Sequence, residues 1–227
     1  MAGLKIHLLG GLQISRADAP ITDFISNKVP ALLAYLAVTR RAHSRDKLAS
    51  LLWGEMSEAD AKNNLRQALA NLRRVADDHL TITRDSVEFS GGGFLDSSQF
   101  ESDVKSASSL DTSTLRHGER KTNRQDNASL SAGSEPASVI LTESLRLYRG
   151  DFLEGFFVRD APDFEDWMLA ERARLRELAL GALHMLTQFH TSRGDFTEAM
   201  TFASRLLAFD PWREEAHRQL MKLQART

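Results

Sequence analysis

The sequence predicts a mainly α-helical protein with small β elements, in which two folded domains flank a polar segment. Residues 106–138 are rich in Ser, Thr, Asn and charge, and they show no convincing hydrophobic period. Such a stretch buries too little apolar surface to offset the entropy of ordering, so we expect a disordered linker there. Before it, residues 1–105 combine short strand-like stretches with three helical patterns, whereas residues 139–227 show helical patterns throughout.

The composition is that of an ordinary globular protein of one or two domains. The chain has 227 residues, 42% of them hydrophobic, and a formal net charge of −2. It contains no cysteine, which excludes disulfides, thiolate nucleophiles and zinc sites of the cysteine type. No apolar run approaches the ~18–20 residues of a membrane span, and the N-terminal stretch lacks the pattern of a signal peptide. We therefore expect a cytoplasmic protein without a membrane partner.

The first domain is predicted to open with two short strands in residues 4–15, on either side of Gly10-Gly11. A first helix follows, because Asn27 can cap it and Pro30 fits its first turn. The apolar residues after Pro30 give this helix a broad face for the core.

Two further helices carry clear start signals. One begins at the N-cap Ser44 and stops at Gly54. The other, over residues 58–76, begins with Ser57 and Asp60, which are spaced like a capping box. Apolar residues recur along this third helix at helical spacing and are expected in the core: Ala61, Leu65, Leu69, Leu72 and Ala76.

A β-hairpin is predicted after the third helix. Two short strands straddle Asp85-Ser86, and the glycines at 91–93 end the second strand. Strands, three helices and then a hairpin is the element order of a winged helix-turn-helix domain.

The second domain is predicted to be an all-α helical-repeat domain. A long helix covers about residues 163–193, and two more are broken at Gly194 and at Asp210-Pro211. The pattern gives one full helical-hairpin repeat and the first helix of a second. We therefore expect a helical domain that is truncated at residue 227.

The third helix has an exposed face of unusual composition. With Leu65 at the centre of the buried side, the polar and basic residues fall opposite it or on its flanks. Lys62 to Arg74 holds four basic residues and no acidic one, although residues 1–105 carry 13 basic and 13 acidic residues.

Such a face suits the major groove of DNA, which accepts one α-helix. Arg can bond guanine in a bidentate way, Asn and Gln can bond adenine, and phosphates repel carboxylates. The alternative is a solvated helix face that merely lacks acids; the position of the helix before a hairpin favours DNA. The candidate DNA-binding residues are Asn63, Arg66, Gln67, Asn71, Arg73 and Arg74 on the helix, and Arg84 on the wing.

Other chemistry has little support in the sequence. The seven histidines are scattered, and the nearest pair, His184 and His190, lies on different helix faces rather than at the i, i+4 spacing of a zinc helix. The glycines at 91–93 lack the spacing and the Lys-Ser/Thr ending of a phosphate loop, and there is no GxSxG motif. We predict no enzyme, no cofactor and no metal.

Short segments in each of the two predicted domains resemble known families. "RDKLASLLWG" followed by "NNLRQALANLRR" is similar to the DNA-binding domain of the SARP-type antibiotic regulatory proteins. "LYRGDFLEGF", "DFEDWMLAERARLREL" and "GDFTEAMTFASRLLAFDPWREEAHRQLM" resemble, in order, the bacterial transcriptional activator domain. The resemblance implies an OmpR-like winged helix fused to a tetratricopeptide-like helical domain.

The resemblance also implies a transcription factor, usually an activator, that binds repeated promoter sites in double-stranded DNA as a homodimer. RNA polymerase is a further candidate partner. A second hypothesis comes from the near-zero charge of the first domain, because winged helices also dock proteins and fold alone never fixes function. Under that hypothesis the winged helix docks a protein partner rather than DNA.

Overall fold

A computed structural model describes residues 3–118 and 134–225. The chain forms two compact units, and each is discontinuous in sequence. The first combines Met1–Ser98 with Gly150–Ala173, and the second combines Gln99–Arg149 with Arg174–Thr227. The expected fold class, mainly α with small β elements, is confirmed.

The first unit opens with a four-stranded sheet. Its central strand β1 pairs antiparallel with β2 and parallel with β7, and β3 extends the β2 edge. Gly10 and Gly11 lie between β1 and β2 with φ of 86° and 96°, which glycine adopts without steric cost. The strands are β1 (Leu4–His7), β2 (Gln13–Arg16), β3 (Ala19–Pro20) and β7 (Phe94–Leu95).

Three helices and a second sheet complete the winged helix-turn-helix arrangement, as the sequence predicts. The second sheet has the order β4-β6-β5, and the β5–β6 hairpin is the wing. A single 3-10 turn, Asp77–His79, leads from the third helix into the wing. The elements are α1 (Lys28–Thr39), β4 (His43–Ser44), α2 (Arg45–Trp53), α3 (Glu58–Ala76), β5 (Leu80–Ile82) and β6 (Ser86–Phe89).

Two of the three predicted helix caps form. Ser44 Oγ accepts the N–H of Lys47 at 3.2 Å, and Ser57 Oγ accepts the N–H of Asp60 at 3.2 Å. Asn27 stands at the N-cap position of α1 but makes no capping hydrogen bond, so the expectation for its side chain is wrong. Its backbone is helical rather than extended, which turns the side chain away from the first-turn N–H groups.

Residues 150–173 belong to the first unit, although the sequence predicts them as part of the second domain. The carboxylate of Asp96 accepts the backbone N–H groups of Leu8 and Leu9 at 2.8 and 3.1 Å. The carbonyl of Leu8 accepts the N–H of Leu153 at 2.8 Å, and Leu9 forms an antiparallel bridge with Phe152. The compact units therefore do not follow the predicted boundaries at 105 and 139.

The predicted linker is too wide. Helix α4 covers Asp96–Gly118 and α5 covers Ser134–Leu147, so residues 106–118 and 134–138 are helical; residues 119–133 lie outside the described part of the chain. Two serines in the middle of α4 bond back to their own helix: Ser106 and Ser109 donate to carbonyls four residues earlier. A polar composition is compatible with a helix when its hydroxyls bond back in this way.

The regular structure of the second unit is helical in all its described residues. Helix α6 covers Pro162–Arg193, with the portion after Ala173 in this unit, and α7 and α8 follow it. Helix α7 begins after Gly194, whose φ is 83°, and ends at Asp210-Pro211, so both predicted breaks are confirmed. The α7–α8 hairpin buries Ala199, Ala203 and Leu223. The two last helices are α7 (Phe196–Phe209) and α8 (Glu214–Gln224).

Candidate nucleic-acid interface

Helix α3 presents an exposed arc opposite its buried stripe. Leu65, Leu69 and Leu72 are at most 3% exposed and fix the orientation of the helix against the core. The opposite arc is exposed and includes the small Ala70, which permits close approach to a surface. Six of the seven predicted DNA-binding side chains are exposed: Asn63, Arg66, Gln67, Arg73, Arg74 and, on the wing, Arg84.

Asn71, the seventh predicted residue, does not belong to this arc. It is 3% exposed, and its amide donates to the carbonyl of Asp23 at 3.4 Å. The chain that precedes α1 covers this flank of the helix, which a helical wheel alone cannot show. The prediction that Asn71 lies on the exposed face is therefore wrong.

The arginines of the arc lack carboxylate partners. Within the described part of the chain, Arg66, Arg73, Arg74 and Arg84 form no ion pair, and Arg66 donates only to the side chain of Asn63 at 3.2 Å. The charge of a guanidinium without an ion pair is not compensated by a nearby carboxylate, so it is available to an anionic ligand. The exposed arc is thus a row of available cations and amides.

Lys62 differs from these arginines. Its ammonium lies 3.1 Å from Asp46 of α2 and 2.5 Å from Glu58, one turn earlier in α3. Hydrogen bonds to Glu58 and Asp46 raise the pKa of Lys62. The sequence window from Lys62 to Arg74 has no acidic residue, but the fold supplies two at its start, so the local charge is lower than the four basic residues indicate.

An open cleft of about 530 Å³, here called the wing cleft, joins α3 to the wing and to the start of α2. It brings Arg66 and Arg84 together, although they are far apart in sequence. The first turn of α2 faces it with Ser44, Arg45 and Asp46. The lining residues are Ser44, Arg45, Asp46, Lys62, Leu65, Arg66, Arg84 and Asp85.

Arg45 is a residue of this cleft that the sequence reasoning missed. Its guanidinium donates to the carbonyl of Thr83 at 3.0 Å, and its backbone N–H donates to the carbonyl of Asp85 at 3.0 Å. Arg45 therefore ties the wing turn to α2 and adds a cation beside Arg84. An arginine directly after the N-cap of the second helix is the signal that could have identified it.

The wing threonines, Thr81 and Thr83, form hydrogen bonds within the hairpin. Thr83 Oγ1 accepts the backbone N–H groups of Asp85 and Ser86 at 3.3 and 2.9 Å, which closes the turn. Thr81 Oγ1 bonds Ser90 Oγ across the hairpin at 2.6 Å. At the turn, Arg84 and Asp85 line the wing cleft.

Two buried histidines lie at the base of the wing. His43 Nε2 bonds Thr39 Oγ1 at 2.8 Å, and its ring packs against Tyr35. Burial, followed by the charges of Arg41 and Lys47, lowers the pKa of His43. His79 stacks on Phe89 of β6, and burial lowers its pKa as well. Burial therefore disfavours the charged form of both rings.

On the opposite flank, α3 borders a larger open cleft of about 650 Å³, here called the loop cleft. Asn64, Gln67 and Ala68 line it from α3, and the loop Phe157–Asp160, which belongs to the same unit, lines it from the other side. Three of its apolar side chains are strongly exposed: Ile25 (58%), Met56 (46%) and Phe157 (60%).

Residues 3–118 and 134–225 offer neither a metal cluster nor a membrane span. No group of three or more His, Asp or Glu side chains in these ranges is placed to hold a metal ion. None of their helices is long and apolar enough to cross a membrane.

Comparisons with known proteins agree with this architecture. The family described as the bacterial transcriptional activator domain matches residues 110–227, beginning within α4. EmbR of Mycobacterium tuberculosis, solved in complex with a low-affinity phosphopeptide, superposes with a TM-score of 0.74 at 20% identity. The match covers 100% of this chain and 56% of the EmbR chain, so this chain spans little more than half of that length. A search of curated proteins finds no match.

The matching family is a domain of transcription regulators, and in this chain it follows a winged helix-turn-helix. The chain belongs to the bacterial transcriptional activator domain family, and it has the architecture of a SARP-type regulator.

Proposed function

We propose that the first unit binds double-stranded DNA in a sequence-specific way and reads the major groove with α3. The observation that carries the proposal is the exposed arc of α3, where unpaired arginines alternate with amides and Ala70 permits close approach. Arg can distinguish guanine, and Asn or Gln can distinguish adenine, by paired hydrogen bonds in that groove.

The wing cleft supports the proposal with sequence-independent contacts. Arg84 and Arg45 lie on one side of α3, where their guanidinium groups would meet the phosphates along the edge of the groove. Phosphate contacts fix the orientation of a reading helix, while base contacts choose the sequence. Arg66 lies at the border between the exposed arc and the wing cleft. In this arrangement its guanidinium can reach either a base or a phosphate.

A pair of double variants tests this function. Arg66→Ala/Arg74→Ala is expected to weaken duplex binding and to flatten its salt dependence, by about 0.9 in the log–log slope for each phosphate that is no longer neutralised. Arg146→Ala/Arg218→Ala is the matched control, because both arginines are exposed on helices of the second unit. Equal binding by the two folded double variants would sink the assignment of this face to DNA.

The proposal extends to DNA targets and protein partners. We propose an activator that binds promoter repeats as a homodimer and contacts RNA polymerase. The helical domain would either pair the protomers or receive a regulatory signal. Selection of binding sites from a random duplex library tests whether the chain binds repeated sites as a homodimer. Two recovered half-sites about one helical turn apart would indicate two protomers on one duplex.

A second candidate function is docking of a protein partner by the winged helix. The exposed apolar side chains around the loop cleft favour it, since clustered apolar surface often marks a protein-binding site. Folded protein that enriches no duplex at low salt in the selection would favour this candidate over DNA binding.

A further inference from the structure

We propose that the loop Phe157–Asp160 forms a second phosphate-binding edge of the DNA-binding surface, with Arg159 as its cationic contact. This inference rests on the proposed DNA-binding function and extends it to residues within the bacterial transcriptional activator domain match.

The two flanks of α3 correspond to the two edges of a major groove. A helix in this groove, which is about 12 Å wide, has a phosphate backbone on each side. On α3 one flank meets the wing cleft, with Arg66, Arg84 and Arg45. The other flank meets the loop cleft, where Gln67 of the exposed arc and Arg159 line the same space. DNA held by the first flank would bring its second backbone to the loop.

Arg159 is an available cation at this position. It is exposed, and it forms no ion pair within the part of the chain that the structure describes. Lys28, the other cation of the loop cleft, is occupied: its ammonium donates to the carbonyls of Leu52 and Asp160 at 2.5 and 3.1 Å. With Asp160 as the acidic lining residue, the cleft carries a net charge of +1, and Arg159 is the cation free to meet a phosphate.

The loop is also held in place before any ligand binds. Asn27 donates to the carbonyl of Phe157 at 3.2 Å, and Lys28 donates to the carbonyl of Asp160. Arg159 therefore lies between two backbone anchors on the N-terminus of α1. Because Lys28 also bonds the end of α2, the loop is fixed to the helix-turn-helix itself. A fixed backbone lowers the entropy cost of the contact.

The side chains around Arg159 suit the sugar–phosphate backbone. Phe157 and Ile25 are more than half exposed, and they offer apolar surface beside the charge. Ser26 adds a hydroxyl to the lining, and hydroxyl and guanidinium groups are common donors to phosphate. The same apolar surface would serve a protein partner, so a decisive experiment has to separate protein from DNA.

The test compares salt-dependent duplex binding of the full chain and of Arg159→Ala, using the duplex enriched in the library selection. The variant is expected to bind roughly five- to tenfold more weakly near 0.1 M salt, and its log–log slope is expected to fall by about 0.9. Arg159→Lys should recover most of the slope, because a lysine keeps the charge. Arg146→Ala, in α5, is the matched control for removal of one exposed arginine.

Ethylation interference identifies the contact directly. For the full chain, ethylation of phosphates on the backbone opposite the wing is expected to block binding, and Arg159→Ala should lose this sensitivity while it keeps that on the wing side. If Arg66→Ala/Arg74→Ala weakens binding but Arg159→Ala behaves like Arg146→Ala, the loop contact is wrong and the DNA-binding function stands. If the unmodified chain binds no duplex at low salt, both are wrong, and the result favours a protein partner for the loop cleft.

Discussion

The two flanks of α3 are built in different ways. The wing cleft draws its cations from a continuous stretch, between Ser44 and Asp85, and its turn is closed by the short-range bonds of Thr83 Oγ1 with the N–H groups of Asp85 and Ser86. The loop cleft depends on contacts across about half of the chain, from Asn27 to Phe157 and from Lys28 to Asp160. The wing cleft is thus formed by the winged helix alone. The loop cleft exists only when the distant segment 157–160 packs beside α3.

The largest expected effect comes from removing the carboxylate that supports the distant segment. Asp96→Ala leaves the N–H groups of Leu8 and Leu9 buried without their acceptor, and Leu8 in turn accepts from Leu153. We expect the free energy of unfolding, measured by urea denaturation, to fall by about 2–6 kcal/mol, since each of the two buried donors without a partner costs about 1–3 kcal/mol.

Asp96→Asn is the matched control, because its amide oxygen can still accept one of the hydrogen bonds from Leu8 and Leu9. Hydrogen exchange should show faster exchange of the Leu153 N–H in Asp96→Ala, with smaller changes at the wing turn. A stability within about 1 kcal/mol of the unmodified protein would contradict the role given to this carboxylate.

A smaller effect is expected from loosening the loop alone. Lys28→Met keeps apolar atoms over the ring of Trp53 but removes both hydrogen bonds of the ammonium. We expect the free energy of unfolding to fall by about 1–3 kcal/mol, together with a flatter salt slope of the kind expected for Arg159→Ala. A stable Lys28→Met protein with an unchanged salt slope would show that the loop does not need this tie.

The smallest expected effect concerns the base of the wing. Burial lowers the pKa of His43 and of His79 below the ordinary value of 6.5. The unfolded chain then binds more protons than the folded one, so stability is complete above pH 6.5 and declines as the pH falls below it. Ring-proton NMR should place both midpoints below 6.5; midpoints at or above that value would contradict the neutral, buried rings.

Much of the first flank could be predicted from sequence. Ser44 and Ser57 cap their helices, and Leu65 with Leu72 orients α3, because these signals act within one or two helical turns. The same local reasoning failed where tertiary neighbours decide the outcome. Asn71 is covered by Asp23, and Lys62 is paired with Asp46 of another helix.

The second flank carries no local signal. Phe157 and Arg159 stand between helices in a stretch with no hydrophobic period, and nothing in their immediate sequence indicates that they face α3. The polar composition of residues 106–138 also suggested too long a linker, because serines that bond back to their own helix look like linker residues in a sequence. The fold class depended on periodicity and was predictable, whereas the return of residues 150–173 depended on packing.

The discontinuous first unit has a consequence for biosynthesis. A ribosome completes β1 to β7 well before it makes Phe152, the bridge partner of Leu9. At about 5–20 residues per second, the interval from Ser98 to Ala173 takes about 4–15 s, which is long compared with the folding time of many small domains. During that interval the nascent winged helix lacks its loop flank, and the partner edge beside Leu8 and Leu9 stays open to chaperones or to neighbouring chains.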